Sequence, residues 1–92
     1  MALSSKISKK TVTSGFEDLG QIVQFHRKKS GLTQAQLAKL AGIGKTAVFD
    51  LEHKNKQPRL NTISRILEIL NIKVAFDSPL MAAYERERHA QS

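Results

Sequence analysis

Thr33-Gln34-Ala35-Gln36-Leu37-Ala38-Lys39-Leu40-Ala41-Gly42-Ile43-Gly44-Lys45-Thr46-Ala47-Val48-Phe49-Asp50-Leu51-Glu52 is the stretch that decides how this chain folds. Its first four residues form a capping-box pattern, in which the Thr33 hydroxyl accepts from the Gln36 amide while the Gln36 side chain reaches back. Leu37, Leu40 and Ala41 follow at helical spacing, with Ala38 close to the same face. Gly42-Ile43-Gly44 then reads as a tight turn, since glycine admits backbone angles that other residues resist. A second short helix is expected from Lys45 to His53, with Val48 and Leu51 turned inward and Ile43 plugging the turn.

Working upstream, residues 17–30 carry acids at the start (Glu17, Asp18) and bases toward the end (Arg27, Lys28, Lys29). That polarity complements a helix dipole, so a first helix is expected over 18–29, stopped by Gly31. Residues 1–15 show no sustained helical period and read as a flexible basic arm carrying Lys6, Lys9 and Lys10. Such an arm could reach into a minor groove or along a phosphate backbone, or have no role.

Downstream, Pro58 closes a polar loop, and Asn61 is the expected cap of a fourth helix. Leu60, Ile63, Ile66, Leu67 and Leu70 form the cleanest 3.6-residue stripe in the chain, which Asn71 should end in a left-handed conformation. The period then changes. Ile72, Val74 and Phe76 alternate with polar residues, predicting one β-strand over 72–77 with no second strand in the chain to pair with. Antiparallel pairing with its own copy across a two-fold axis is one way to satisfy it. An extended tail lying on the fourth helix is the other. Residues 79–92 form a tail of mixed charge that could be a frayed helix. One domain over 16–78 is therefore expected, flanked by the arm and the tail.

The net charge of +7 is unevenly spread. Residues 1–60 hold eleven Lys and Arg against four acids, whereas residues 61–92 hold four of each. A basic half of this kind attracts a polyanion, although many small proteins are basic for solubility alone. Cysteine is absent, which removes disulfides, thiolate nucleophiles and thiolate zinc sites. No apolar run approaches the roughly 18 residues of a membrane helix, nor is there a signal-peptide core, so a soluble, cytoplasmic, nucleoid-associated protein is expected. His26, His53 and His89 belong to no metal or catalytic motif, and Asp50 and Glu52 point apart on one helix. Neither enzyme nor metal or other cofactor is expected.

Two short helices joined by a glycine-containing three-residue turn match a helix-turn-helix, whose second helix enters the major groove. The stretch from Leu32 to Ile72 resembles the phage-repressor and Cro-like helix-turn-helix family, and the likeness as a whole covers roughly Leu19–Ile72. The matching marks are Leu32-Thr33-Gln34, Leu37-Ala38, Gly42, Val48, Leu51-Glu52, Pro58 and the Leu67–Leu70 end of the fourth helix. With the added strand, the likeness is closest to HipB-like antitoxins. The resemblance implies a mostly α fold of four to five helices, binding double-stranded DNA at a palindromic operator as a homodimer. It also implies a HipA-like kinase toxin as a partner, with a stand-alone repressor or a mainly protein-binding antitoxin as alternatives.

Site roles follow on that basis. Gly44, Lys45 and Thr46 are expected to project toward base edges, with Phe49 and Asp50 one turn further along. Phe49 is either a contact to a thymine methyl or an extra piece of core. Asp50 either accepts from cytosine N4 or holds Lys45 or Lys54 in place. Gln34, at the start of its helix, is a phosphate contact or a plain polar position. Thr33, Lys28, Lys54 and Lys56 are expected phosphate contacts, though a solvated basic face would look the same. The resemblance pairs Arg27 with Glu52 as a structural ion pair. Recognition helices of a dimer would then enter successive major grooves about 34–36 Å apart.

Overall fold

The computed structural model describes residues 15–91. Most of the expected basic arm, including Lys6, Lys9 and Lys10, lies outside the described residues. A 3₁₀ turn at Phe16–Asp18 leads into five α-helices: α1 (Leu19–Lys29), α2 (Gln34–Ala41), α3 (Lys45–His53), α4 (Leu60–Ile69) and α5 (Met81–Gln91). α3 lies against both α1 and α2, and α2 packs on α4.

One core joins the first four helices. α1 contributes Leu19 and Val23, α2 Leu37, Ala38 and Ala41, and α3 Val48 and Leu51, closed by Ile63, Ile66, Leu67 and Leu70. Ala38 is buried where α2 meets its neighbours.

Each of these four helices stops in the same way. A residue in the left-handed region follows it (Gly31, Gly42, Lys54 and Asn71), and the next N–H reaches back to a carbonyl five residues earlier. Ile43 N–H donates to the Ala38 carbonyl at 2.9 Å, and Ile72 N–H to that of Leu67 at 2.9 Å. After α1, α2 and α4 the residue making that bond is Leu32, Ile43 or Ile72, and all three pack against the core. After α3 it is Asn55, which is exposed. The turns after α1, α2 and α4 therefore do two things at once: they satisfy the last carbonyls and place an apolar side chain over the core.

Several expectations require correction. α1 begins at Leu19, because Asp18 belongs to the preceding 3₁₀ turn and supplies no side-chain cap. α4 begins at Leu60, so Asn61 sits inside its first turn. Arg59 takes the extended cap position after Pro58. Leu60 itself is 74% exposed, since it projects from the helix end beyond the core. Leu40 is 58% exposed because Leu37, Ala38 and Ala41 already fill the inward arc of α2. Among the described residues there is no β-strand. Residues 72–78, including Ile72, Val74 and Phe76, are neither helix nor strand, as nothing among the described residues offers them an edge to pair with. Ile72 is drawn onto the core while Val74 and Phe76 remain exposed. The tail from Met81 to Gln91 is helical and buries none of its described side chains. No helix among the described residues is long and apolar enough to cross a membrane.

Candidate nucleic-acid interface

The start of α2 is fixed by a complete capping box: Gln36 N–H donates to Thr33 Oγ1 at 3.0 Å, and Thr33 N–H donates to Gln36 Oε1 at 2.8 Å. This places Gln34 in the first turn of α2, beside α3. The turn from α2 into α3 needs glycine at only one of its two glycine positions. Gly42 has a φ of 70°, whereas Gly44 is extended (φ −77°, ψ 149°) and caps α3 without a side chain. A Cβ at Gly44 would meet nothing within 4 Å, so the space beside the start of α3 is open at this residue.

Gln34, Lys45, Thr46 and Phe49 line one shallow depression of about 410 Å³. Lys45 and Thr46 are exposed on the first turn of α3. Phe49 is 40% exposed and takes no part in the core. Its ring lies on that of His53, with centroids 3.9 Å apart and an interplanar angle of 22°. Asp50 is half-buried and pairs with neither Lys45 nor Lys54. The other basic candidates stand apart from this depression. Lys28 borders the outer face of α1 with Gln21, Gln24, Phe25 and Lys29, and Lys54 and Lys56 border a hollow beside Phe16–Gly20.

Behind the exposed side of α3 lies a buried polar cluster. Arg27 Nε donates to Glu52 Oε2 at 2.7 Å and Arg27 Nη2 to Glu52 Oε1 at 2.9 Å, a two-pronged pair. The remaining prong, Nη1, donates to the Leu32 carbonyl at 2.8 Å. Glu52 Oε1 also accepts from the Gln34 amide at 3.1 Å and from Gln24 at 3.4 Å. Burial pushes the Glu52 carboxyl up. The hydrogen bonds from Arg27 and Gln34, the Arg27 charge and the bond from Gln24 together outweigh it, leaving the group below its ordinary range. Arg27 moves up, chiefly through its hydrogen bond to Glu52. The cluster ties α1, the start of α2 and the end of α3 together, and it sets the Gln34 side chain from behind.

Sequence reasoning missed two members of this arrangement. Gln24 lies one turn before Arg27 on the same face of α1, so helical spacing could have identified it. Gly20 gave no such signal. It is buried where α1 crosses the end of α3, and a Cβ there would press into the Leu51 carbonyl oxygen.

A family model described as helix-turn-helix matches residues 25–76, more than half of the chain. The chain belongs to the helix-turn-helix family. Two relatives agree with that assignment. The ImmF control region 10 kDa protein of Bacillus phage phi105 is 33% identical over 54 residues, covering 59% of this chain and 60% of the phage protein. An uncharacterized HTH-type transcriptional regulator, y4mF of Sinorhizobium fredii, is 29% identical over 62 residues, covering 67% of this chain and 82% of the relative. In this helix-turn-helix chain, α2 and α3 are the two helices that name the family. α3 is the one whose outer side is open.

Proposed function

We propose that the protein is a transcriptional regulator that binds double-stranded DNA and reads its sequence with the exposed side of α3. The observation that carries this reading is the grouping of Gln34, Lys45, Thr46 and Phe49 around one open depression, on a helix whose opposite side is anchored in the core. An α-helix fits the major groove, where each base pair shows a distinct pattern of donors, acceptors and methyl groups. Lys45 donates to guanine O6 or N7, Thr46 meets a thymine methyl or a base acceptor, and Phe49 lies against a thymine methyl. Asp50, paired with neither Lys45 nor Lys54, accepts from cytosine N4. The bare backbone at Gly44 lets the helix end approach the bases closely.

Gln34 uses one amide hydrogen on Glu52, which leaves the other for a phosphate oxygen. Thr33, whose hydroxyl oxygen accepts from Gln36, still has its own hydrogen to donate to the same strand. Lys28, on the outer face of α1, and Lys54 and Lys56, beyond the end of α3, act further out as phosphate contacts that release counterions. The relatives favour a regulator over a toxin-restraining role with a HipA-like partner: one is described as a phage control-region protein and the other as a transcriptional regulator.

The protein works as a homodimer in this reading. Leu60, Ile63, Leu67, Ile72, Val74 and Phe76 line an apolar groove of about 510 Å³ along α4, and it includes no residue of α3. A second copy seated there, with residues 72–77 as part of the contact, leaves both reading helices free for a palindromic operator. Occupying a promoter in this way excludes polymerase, so repression follows.

Selection from random duplex DNA tests the reading. Wild type is expected to enrich a palindromic motif, and the Lys45→Ala, Thr46→Ala double variant is expected to lose it. Enrichment of no motif by wild type, or of the same motif by the double variant, would show that α3 is not the reading element. Sedimentation of a variant lacking residues 72–77 tests the dimer, which is expected to become monomeric.

A further inference from the structure

His53 is the last residue of α3, one helical turn beyond Phe49 on the same side. Two independent contacts join them. The imidazole stacks on the phenyl ring at 3.9 Å between centroids, close to parallel, and His53 Nδ1–H donates to the Phe49 carbonyl at 2.9 Å. The hydrogen bond fixes which way the imidazole faces and which nitrogen carries the proton. The stack then selects one orientation of a phenyl side chain that, on an exposed helix surface, otherwise has more than one rotamer open to it.

We infer that His53 is a positioning residue for base reading: it holds the Phe49 ring in one orientation on α3 and so fixes where that ring meets a thymine methyl. The inference rests on the proposal that α3 reads DNA. An apolar contact to a methyl group is short in range, so a ring that swings between rotamers reads no single position. A ring already fixed before binding loses less freedom on docking. His53 itself need touch no base.

The test deletes the methyl group alone. In the operator selected by wild type, each thymine is replaced in turn by deoxyuridine, which lacks only the C5 methyl. Wild type is expected to lose about three- to tenfold in affinity at one position in each half-site. Phe49→Ala should be indifferent at that position. His53→Ala should respond there by less than about twofold, while keeping affinity for non-specific duplex DNA and its salt dependence. His53→Phe, which keeps a flat ring but not the hydrogen bond, should restore most of the response. His53→Gln removes the ring while preserving helix propensity, and serves if the alanine variant frays α3 in circular dichroism.

A His53→Ala or His53→Gln variant as methyl-sensitive as wild type would overturn the inference. So would a wild-type protein sensitive at no thymine, or a response that persists in Phe49→Ala. Those outcomes leave the regulator reading standing, because the operator was still selected. Failure to select any operator would overturn both.

Discussion

The two sides of α3 are built under different constraints. Val48 and Leu51 on the inner side are sealed in the core, and Glu52 is held by Arg27, Gln34 and Gln24. The backbone between them is pressed by α1 at Gly20. On the outer side, Lys45 and Thr46 stand open to solvent, and Phe49 has the His53 ring as its stacking partner. A helix held so firmly on one side can be left bare on the other without losing its place. On the proposed function, stability and DNA reading therefore separate by helix face. Inner substitutions should cost folding free energy, whereas outer ones should change DNA binding at nearly constant stability.

The sharpest way to break that division is to strand the Glu52 carboxylate. Arg27→Met leaves a buried charge with two amide donors and no cation, which should cost about 3–5 kcal/mol in urea unfolding. Adding Glu52→Leu should recover much of the loss, because the carboxylate that Arg27 neutralised is then gone as well. A cost below about 1 kcal/mol for the single variant would place the pair among those that contribute little, as exposed pairs do. Acid should act in the same direction. Glu52 is held below its ordinary value of 4.5, so its contribution is complete above that pH and is lost as pH falls through the lower folded value. Urea midpoints between pH 7 and pH 3 should therefore drop more steeply for wild type than for Glu52→Gln.

Gly20→Ala tests the other inner contact. Alanine is the better helix former by up to about 1 kcal/mol, so the variant should be more stable if Gly20 were merely a flexible point in α1. The Leu51 carbonyl leaves no space for the methyl group, and backbone cannot move aside as a side-chain tip can. A net loss of about 1–3 kcal/mol is expected in the same unfolding measurement. A gain would mean that α1 and α3 are not as closely apposed as the fold has them.

How much of this could be read beforehand depends on whether the cause is local. The capping box at Thr33 and Gln36, the turn at Gly42 and the stripe through Ile63, Ile66 and Leu67 are set by neighbours within a few residues, and their spacing displays them. Leu40 and Leu60 were misplaced because periodicity finds the axis of an apolar stripe but not its edges. The alternation of Ile72, Val74 and Phe76 reports a two-residue period and is silent about a pairing partner. Gly20 answers to a carbonyl supplied by a helix distant in sequence, and no window of sequence contains both. The likeness to repressors carried the Arg27–Glu52 pairing, whereas the donation from Gln34 and Gln24 needed three helices in place.

Lys54 is where the two sides of α3 compete within one residue. α2 ends on Gly42, which adopts its φ of 70° without penalty, and the following Ile43 covers the core. α3 ends by the same hydrogen-bond pattern, but the left-handed position (φ 57°, ψ 29°) is given to a lysine. A side chain with a Cβ costs roughly 1–2 kcal/mol in that conformation, only part of which is offset by the greater freedom glycine has in the unfolded chain. A lysine at this corner is less stable than glycine would be, and the proposed phosphate contact would give its charge a use. Lys54→Gly should accordingly raise stability by about 0.5–1 kcal/mol, while lowering the slope of log affinity against log salt by about one. Lys54→Asn, better suited than lysine to the left-handed region, should shift both quantities the same way. If the glycine variant gained stability with an unchanged salt slope, the lysine would not face the DNA, and the basic surface at the end of α3 would have to be placed elsewhere.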